Sequence, residues 1–263
     1  METGGMMGSQ SEGMVSPLSP EETVRYCRQL MLPEIGSDGQ EKLKRATVLI
    51  AGAGGLGSVS AYYLAAAGIG RIRIVDMDCV ELENLNRQIL HGTRDIGKFK
   101  TESAYNKLRD LNPHCSIQPV QEKIHEGNIM NLAEGCTVIV DAMDNVETRK
   151  IINRASVRSS IPFIYGGING FTGMTTTLVP GLTPCFECLF PHQVSSEIKA
   201  GVIGPIPGII ASIQSLEAIK LILGMKELLT GKLLYIDGRD MSFRKLDIQR
   251  NPACNVCNHP AEE

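Results

Sequence analysis

The run TVLIAGAGGLG, Thr47 to Gly57, constrains the fold of this chain more than any other stretch. Its apolar half reads as a strand buried on both faces, and such strands belong to parallel sheets with helices on both sides. The glycines then turn the backbone sharply into SVSAYYLAAAGIG, a helix of small and apolar residues closed near Gly68. RIRIVDMD, Arg71 to Asp78, is a second strand. Strand, glycine turn, helix, strand is the opening unit of a doubly wound α/β fold.

The alternation continues along the chain. Ser19 as N-cap and Pro20 at the first helical position predict a helix from Pro20 to Arg45. Helices are also expected over 98–111, over 145–159 and, strongly apolar, over 209–224. SIQPVQEKI, TVIVDAMD and IPFIYGG read as strands, whereas MTTTLV, LLYIDG and SFRKLDI alternate as antiparallel strands do. The expectation is a Rossmann-like, mostly parallel sheet with a smaller mixed or antiparallel C-terminal extension. A Gly/Ser/Met/Pro-rich tail over 1–17 is expected to be disordered, with one domain over 18–263. Its nucleotide-binding half covers about 45–170 and its extension about 171–263.

A net charge of −3 speaks against nucleic acid as the main partner. No secretory signal is read at the N-terminus, and no run of about 18 apolar residues predicts a membrane span. A cytoplasmic protein with reduced thiols is expected, so eight cysteines point to a metal site rather than to disulfides.

Gly52, Gly54 and Gly57 form G-x-G-x-x-G, with Gly55 added. Such a loop brings helix N–H groups to an anion, and Asp76, at the end of the next strand, is placed to accept from ribose hydroxyls. A tight turn without ligand would look the same, and so would a nicotinamide or flavin enzyme. The next stretch separates them. Asn84, Arg87 and Gln88 follow the second strand, and Lys98 and Lys100 follow in GKFK. Asn, Arg and Lys at a strand end suit a triphosphate better than a hydride carrier. Lys98 alone reads as a solvated surface charge. Asp141 and Asp144, in DAMDN, reach the same sheet edge, where carboxylates beside phosphates suggest Mg²⁺. For Asp141 a turn or N-cap role is the alternative.

Taken together, RYCRQ, GAGGLG, DMDxVxxxNLNRQ, GKFK and DAMDN resemble the MoeB/ThiF/HesA family, the activating enzymes related to ubiquitin-activating enzymes. The resemblance runs from about Glu21 to about Cys257. It implies adenylation, by ATP with release of pyrophosphate, of the C-terminal carboxylate of a small ubiquitin-like sulfur carrier ending in Gly-Gly. It implies that Gly54 and Gly55 approach the nucleotide and that Asp76 holds the ribose. Asn84, Arg87 and Lys100 would contact phosphates, with Asp78, Gln88 and Asn145 beside them. Asp144 would be essential, beside or on Mg²⁺. Arg28 would reach into a partner subunit's site, which implies a homodimer. The same chemistry on a peptide or tRNA-linked carboxylate, an inactive scaffold, and a nicotinamide or flavin oxidoreductase are the competing readings.

Cys185–Cys188 and Cys254–Cys257 are two CxxC pairs, and four thiolates suit a closed tetrahedral Zn²⁺ site. A redox dithiol is the competing reading, and His192 and His259 lie close enough in sequence to substitute as ligands. The resemblance implies the same structural zinc. Many relatives carry a cysteine just before a Gly-Val pair and the long apolar helix; here Glu197 stands at that position, beside Ser195 and Ser196. Neither hydroxyl replaces a thiolate as nucleophile at neutral pH. The expectation is therefore an enzyme that forms the acyl-adenylate and leaves sulfur transfer to a separate donor. No rhodanese-type domain is expected after the second pair.

Overall fold

The computed structural model describes residues 17–191 and 201–258. Its eight strands form one sheet in the order β3-β2-β1-β4-β5-β6-β7-β8. These are β1 (Thr47–Ala51), β2 (Arg71–Val75), β3 (Ser116–Val120), β4 (Val138–Asp141), β5 (Phe163–Asn169), β6 (Thr172–Leu178), β7 (Lys232–Asp237) and β8 (Ser242–Asp247). β3 through β5 pair in parallel, and β5 through β8 antiparallel. The expected fold class is therefore what the chain adopts.

The helices are α1 (Pro20–Arg25), α2 (Cys27–Leu30), α3 (Gly36–Arg45), α4 (Gly55–Ala66), α5 (Lys100–Leu111), α6 (Ile129–Ala133), α7 (Val146–Ser159), α8 (Phe186–Leu189) and α9 (Pro205–Leu223). The parallel strands send alternate residues to two cores. Ile50, Ile72, Val138 and Val140 meet α4, α5 and α9 on one face. Leu49, Val75, Ile139 and Phe163 meet α6 and α7 on the other.

The expected helix over 20–45 is three helices instead. It breaks at Tyr26, whose ring is only 3% exposed, and again around Leu32–Pro33, where a residue before proline is pushed out of the helical region. Three predicted strands stop short of their sequence patterns, at Val75, Val120 and Asp141. At each end the chain leaves the ladder and the acidic or polar residues that follow are released to the sheet edge.

α9 deserves a physical account, because an 18-residue window of it has a mean hydropathy of 1.5, enough by length and composition to cross a bilayer. It lies instead between α4 and the antiparallel flank, and it buries polar groups that need protein partners. Glu217, 2% exposed, accepts from Thr177 Oγ1 and from the Leu229 N–H, each at 2.7 Å. Gln214 donates through Nε2 to the carbonyls of Asp141 (2.8 Å) and Ile164 (3.1 Å).

β1 leads to β2 on one side, and after β3 the chain returns to place β4 on the other side of β1. The carboxyl ends of β1, β2 and β4 come level there, with Ala51 opposite both Val75 and Asp141. Ligand crevices of open α/β sheets form at such a reversal of strand order.

Candidate active site and metal centre

Gly52 to Gly57 curl over the end of β1 into α4. Gly52 has φ +108°, and a Cβ there would come within 2.6 Å of the Ala142 carbonyl oxygen. A Cβ on Gly57 would lie 2.0 Å from the Gly52 carbonyl oxygen. These two glycines are required by backbone packing. Gly54 differs: its nearest neighbour in that direction is Gln88 Nε2 at 3.7 Å. The space over Gly54 and the first turn of α4, whose leading N–H groups have no intrahelical partner, is suited to an anion.

Asp76 stands at the end of β2 and is held at both oxygens. Oδ2 accepts from the Ala53 N–H and Oδ1 from the Asp78 N–H, each at 2.8 Å. Burial raises its pKa, with Lys100 and the two N–H groups opposing the rise. A carboxylate can accept further bonds beyond these two, so acceptor capacity remains for ribose hydroxyls.

The 78–100 segment folds back on itself. The Lys98 carbonyl accepts from Val80 N–H and the Asp78 carbonyl from Lys100 N–H, each at 2.9 Å. Lys100, the first residue of α5, is 6% exposed, and its ammonium donates to Asp78 Oδ2 at 2.9 Å. Between these limbs lie Asn84 and Gln88, both buried, and Arg87, half-buried. Asn84 Oδ1 accepts from the Glu81 N–H. Gln88 Oε1 is buried with no partner. Arg87 donates to the Glu83 carbonyl and to Asn86 Oδ1. Lys98 is half exposed and faces Asp95, as a surface charge would.

The DAMDN loop separates the two readings of Asp141 in favour of the turn role. Asp141 is fully buried, and Arg149 Nε donates to its Oδ2 at 2.8 Å. Oδ1 accepts from the Met143 N–H at 2.9 Å. Its carboxylate is consumed inside the protein, so it is a buried ion-pair partner rather than a metal neighbour. Arg149 also donates to the carbonyls of Met143 and Gly166 and lies over the Tyr165 ring, 5.2 Å from its centroid. Both polar groups of Met143 are thus tied down, and the next residue, Asp144, is exposed. Asn145 caps α7, with Oδ1 accepting from the Thr148 N–H at 2.8 Å, and its Nδ2 donates to Asp144 Oδ1.

Arg28 is not among these residues. It is exposed on α2, whose neighbour Gln29 donates to the carbonyl of Ala67, at the far end of α4 from the glycine loop. A twelve-residue helix spans about 18 Å. Within one protomer α2 therefore sits at the opposite end of α4 from the glycine loop.

Sequence reasoning passed over His91 and Arg149. His91 directly follows the NLNRQIL run, and Arg149 lies five residues after Asp144. Proximity to these motifs was the available signal.

The four cysteines of the two CxxC pairs do meet. Their sulfurs all lie within 4.8 Å of one another, at 3.8 Å for Cys185–Cys188, 3.7 Å for Cys185–Cys254 and 3.3 Å for Cys188–Cys257. A tetrahedron with Zn–S bonds of about 2.3 Å has edges of about 3.8 Å, so this donor set fits zinc. Cys185 and Cys254 are buried. α8 is short and its first N–H is bonded to Asn153 Oδ1. Cys115 and Cys136 are core residues. His192, Ser195, Ser196, Glu197 and His259 lie outside the described residues.

The family pattern of ThiF matches residues 26–256. The chain belongs to the ThiF family. It is 41% identical over 247 residues to the sulfur carrier protein adenylyltransferase of Thermus thermophilus, covering 90% of this chain and 91% of that one. It is equally identical, over 249 residues, to the SAMP-activating enzyme E1 of Haloferax volcanii, covering 93% and 92%. Against the adenylyltransferase and sulfurtransferase MOCS3 of Drosophila sechellia it is also 41% identical, but spans only 54% of that protein. Among solved structures, E. coli MccB with MccA-N7isoASN superposes with a TM-score of 0.80 at 28% identity, covering 90% of this chain and 75% of that one. E. coli MccB with ATP gives 0.79 at 28% identity, with coverage of 89% and 74%.

Proposed function

We propose that this ThiF-family adenylyltransferase uses ATP to activate the C-terminal glycine carboxylate of a small ubiquitin-like sulfur carrier ending in Gly-Gly. The observation that carries the reading is the convergence, at the reversal of strand order, of the glycine loop, Asp76, the Asn84–Arg87–Gln88 segment, Lys100 and Asp144. The two relatives matched over nine-tenths of their length, named for a sulfur carrier and for SAMP, support the carrier as substrate.

In this reading Gly54 and Gly55 present N–H groups to the phosphates and Asp76 accepts from the ribose. Asn84, Arg87, Gln88 and Lys100 hold the phosphate chain. The carrier carboxylate is already ionised and needs no base. Its oxygen attacks the α-phosphorus, the α–β bridging bond breaks, and pyrophosphate leaves. Two anions approach in that step, so Arg87 and Lys100 act by offsetting their repulsion and the charge developing on the leaving group. Asp144 is exposed, with capacity left on its carboxylate beyond the Asn145 bond to take a hard cation, and one carboxylate with substrate phosphates is a usual Mg²⁺ environment. Mg²⁺ held there would supply further countercharge. Arg28 would complete the site of a second copy in a homodimer, and a separate protein would donate sulfur. Residues 18–263 would act as one adenylation domain in the cytoplasm, with zinc structural.

Incubation with ATP and a panel of Gly-Gly-ending carriers is expected to yield a carrier-adenylate by mass spectrometry. Asp144→Ala is expected to abolish carrier-dependent ATP–pyrophosphate exchange, and wild-type exchange in that variant would overturn its role. The MccB structures solved with MccA and with ATP support a second reading, adenylation of a peptide carboxylate. Adenylation of a peptide in the same panel, with every carrier left unmodified, would favour it.

A further inference from the structure

At the centre of the glycine loop, both backbone polar groups of Ala53 are engaged by side chains. Its N–H donates to Asp76 Oδ2 at 2.8 Å, and its carbonyl lies 2.9 Å from Nε2 of His91. His91 is 6% exposed and packs between the loop and α5. Its other ring nitrogen is 3.0 Å from Ser103 Oγ, and Ser103 Oγ in turn accepts from the Lys107 ammonium at 2.8 Å.

Donor chemistry orders this chain. A carbonyl only accepts, so His91 Nε2 carries a proton. An ammonium only donates, so Ser103 Oγ accepts from Lys107, and its own hydroxyl proton faces two acceptors, His91 Nδ1 and the Asp95 carboxylate. Burial pushes the His91 pKa down; the Ala53 carbonyl opposes this, and Lys107 and Lys100 add to it. Two bonds meet at Ala53: His91 Nε2–H donates to its carbonyl, and its own N–H donates to Asp76 Oδ2.

We propose that His91 is a positioning residue for ribose recognition: its Nε2–H bond pins the Ala53 carbonyl, and with it the backbone of the residue whose own N–H holds the Asp76 carboxylate toward the nucleotide sugar. This rests on the reading of Asp76 as the ribose acceptor. His91 touches neither the nucleotide nor the reacting carboxylate, and it acts on both only through Ala53. The sequence hides the connection because the two residues are 38 positions apart and joined by one side-chain-to-backbone bond.

Calorimetric titration with ATP and with 2′,3′-dideoxyATP, without carrier, tests this. A hydrogen bond from the sugar to a carboxylate gives the wild type a preference for ATP of about tenfold or more. His91→Leu is expected to lose most of that preference and to weaken ATP binding, leaving 2′,3′-dideoxyATP nearly as before. His91→Gln, whose amide can still donate to the Ala53 carbonyl, is expected to restore the preference, whereas His91→Asn, too short to reach, is not. Should His91→Leu not fold, the contrast between the Gln and Asn variants carries the test, and equal preferences in those two would overturn the proposal. Asp76→Ala separates the premise from the inference. A preference lost in Asp76→Ala but kept in His91→Leu overturns the role of His91 alone. A preference kept in Asp76→Ala overturns the ribose reading on which it rests.

Discussion

At Met143 a single backbone residue reports on a buried charge pair. Arg149 and Asp141 hold its carbonyl and N–H respectively, so removing Arg149 frees the Asp144 loop and also strands a carboxylate that is 0% exposed. Removing one partner of a buried pair costs about 3–5 kcal/mol, whereas replacing both by apolar groups is often close to neutral. Arg149→Met is expected to lose about that much in urea unfolding, and the double variant Asp141→Leu/Arg149→Met to recover most of it. Exchange activity should stay low in both, because neither holds the Met143 carbonyl. At this scale the sequence was legible where one residue type has one physical reason to be present. The close approaches at Gly52 and Gly57 leave no room for a side chain, and four cysteines in two knuckles have few other uses. It was illegible where a role depends on a contact across the fold. DAMDN presents two aspartates alike, and only the position of Arg149 shows that one is spent on structure and the other is exposed.

Among the elements, the turn from β1 into α4 separates packing from ligand approach within six residues. Gly57→Ala is expected to lower both the melting temperature and ATP affinity, since its Cβ would collide with the Gly52 carbonyl. Gly54→Ala meets only an ordinary contact, so its stability should stay within about 1 kcal/mol of wild type while ATP affinity falls. Parallel melting and nucleotide titrations check this, and equal melting losses in the two variants would refute the distinction. The strands and long helices followed the apolar periodicity, because a buried strand or helix face must be apolar along its whole length. The breaks at Tyr26 and at Leu32–Pro33 did not show in that periodicity. The second is the local effect of Pro33, but the first is tertiary: Tyr26 Oη accepts from Asn112 Nδ2, and Gln29 Nε2 donates to Gln40 Oε1 and the Ala67 carbonyl. These bonds fix α2, and with it the direction in which Arg28 leaves the surface.

On the scale of the molecule, the position of Arg28 and that of the crevice make complementation informative. If a second copy completes the site, an equal mixture of Arg28→Ala and Asp144→Ala chains forms half heterodimers with one intact site each. Exchange is expected to recover to about a quarter of the wild-type value. No recovery after subunit exchange would argue that Arg28 does not act across the interface. The four-cysteine cluster also operates at this scale. A zinc ion held there would join Cys185 to Cys254 across 69 positions, and by a loop-closure argument such a link is worth about 4 kcal/mol. Chelation is therefore expected to lower the unfolding free energy by up to about that amount and to expose four titratable thiols together. Unchanged stability after metal removal would refute a structural role. The reversal of strand order was foreshadowed by the glycine turn and the alternation of elements. The antiparallel flank was visible in outline, but its order came only from the structure.

The knuckle also changes how the chain bears load. β8 is an edge strand, and a pull on the C-terminal end of a bare edge strand would peel its ladder bonds from β7 one after another. With the four thiolates joined by a metal, tension entering beyond Cys257 would reach α8 first. From there it would pass to α7 through the Asn153–Phe186 hydrogen bond and the Arg154–Glu187 pair. A metal there would reroute force from the weakest edge of the sheet to its helical backing, and β8 would stay slack while the clamp held.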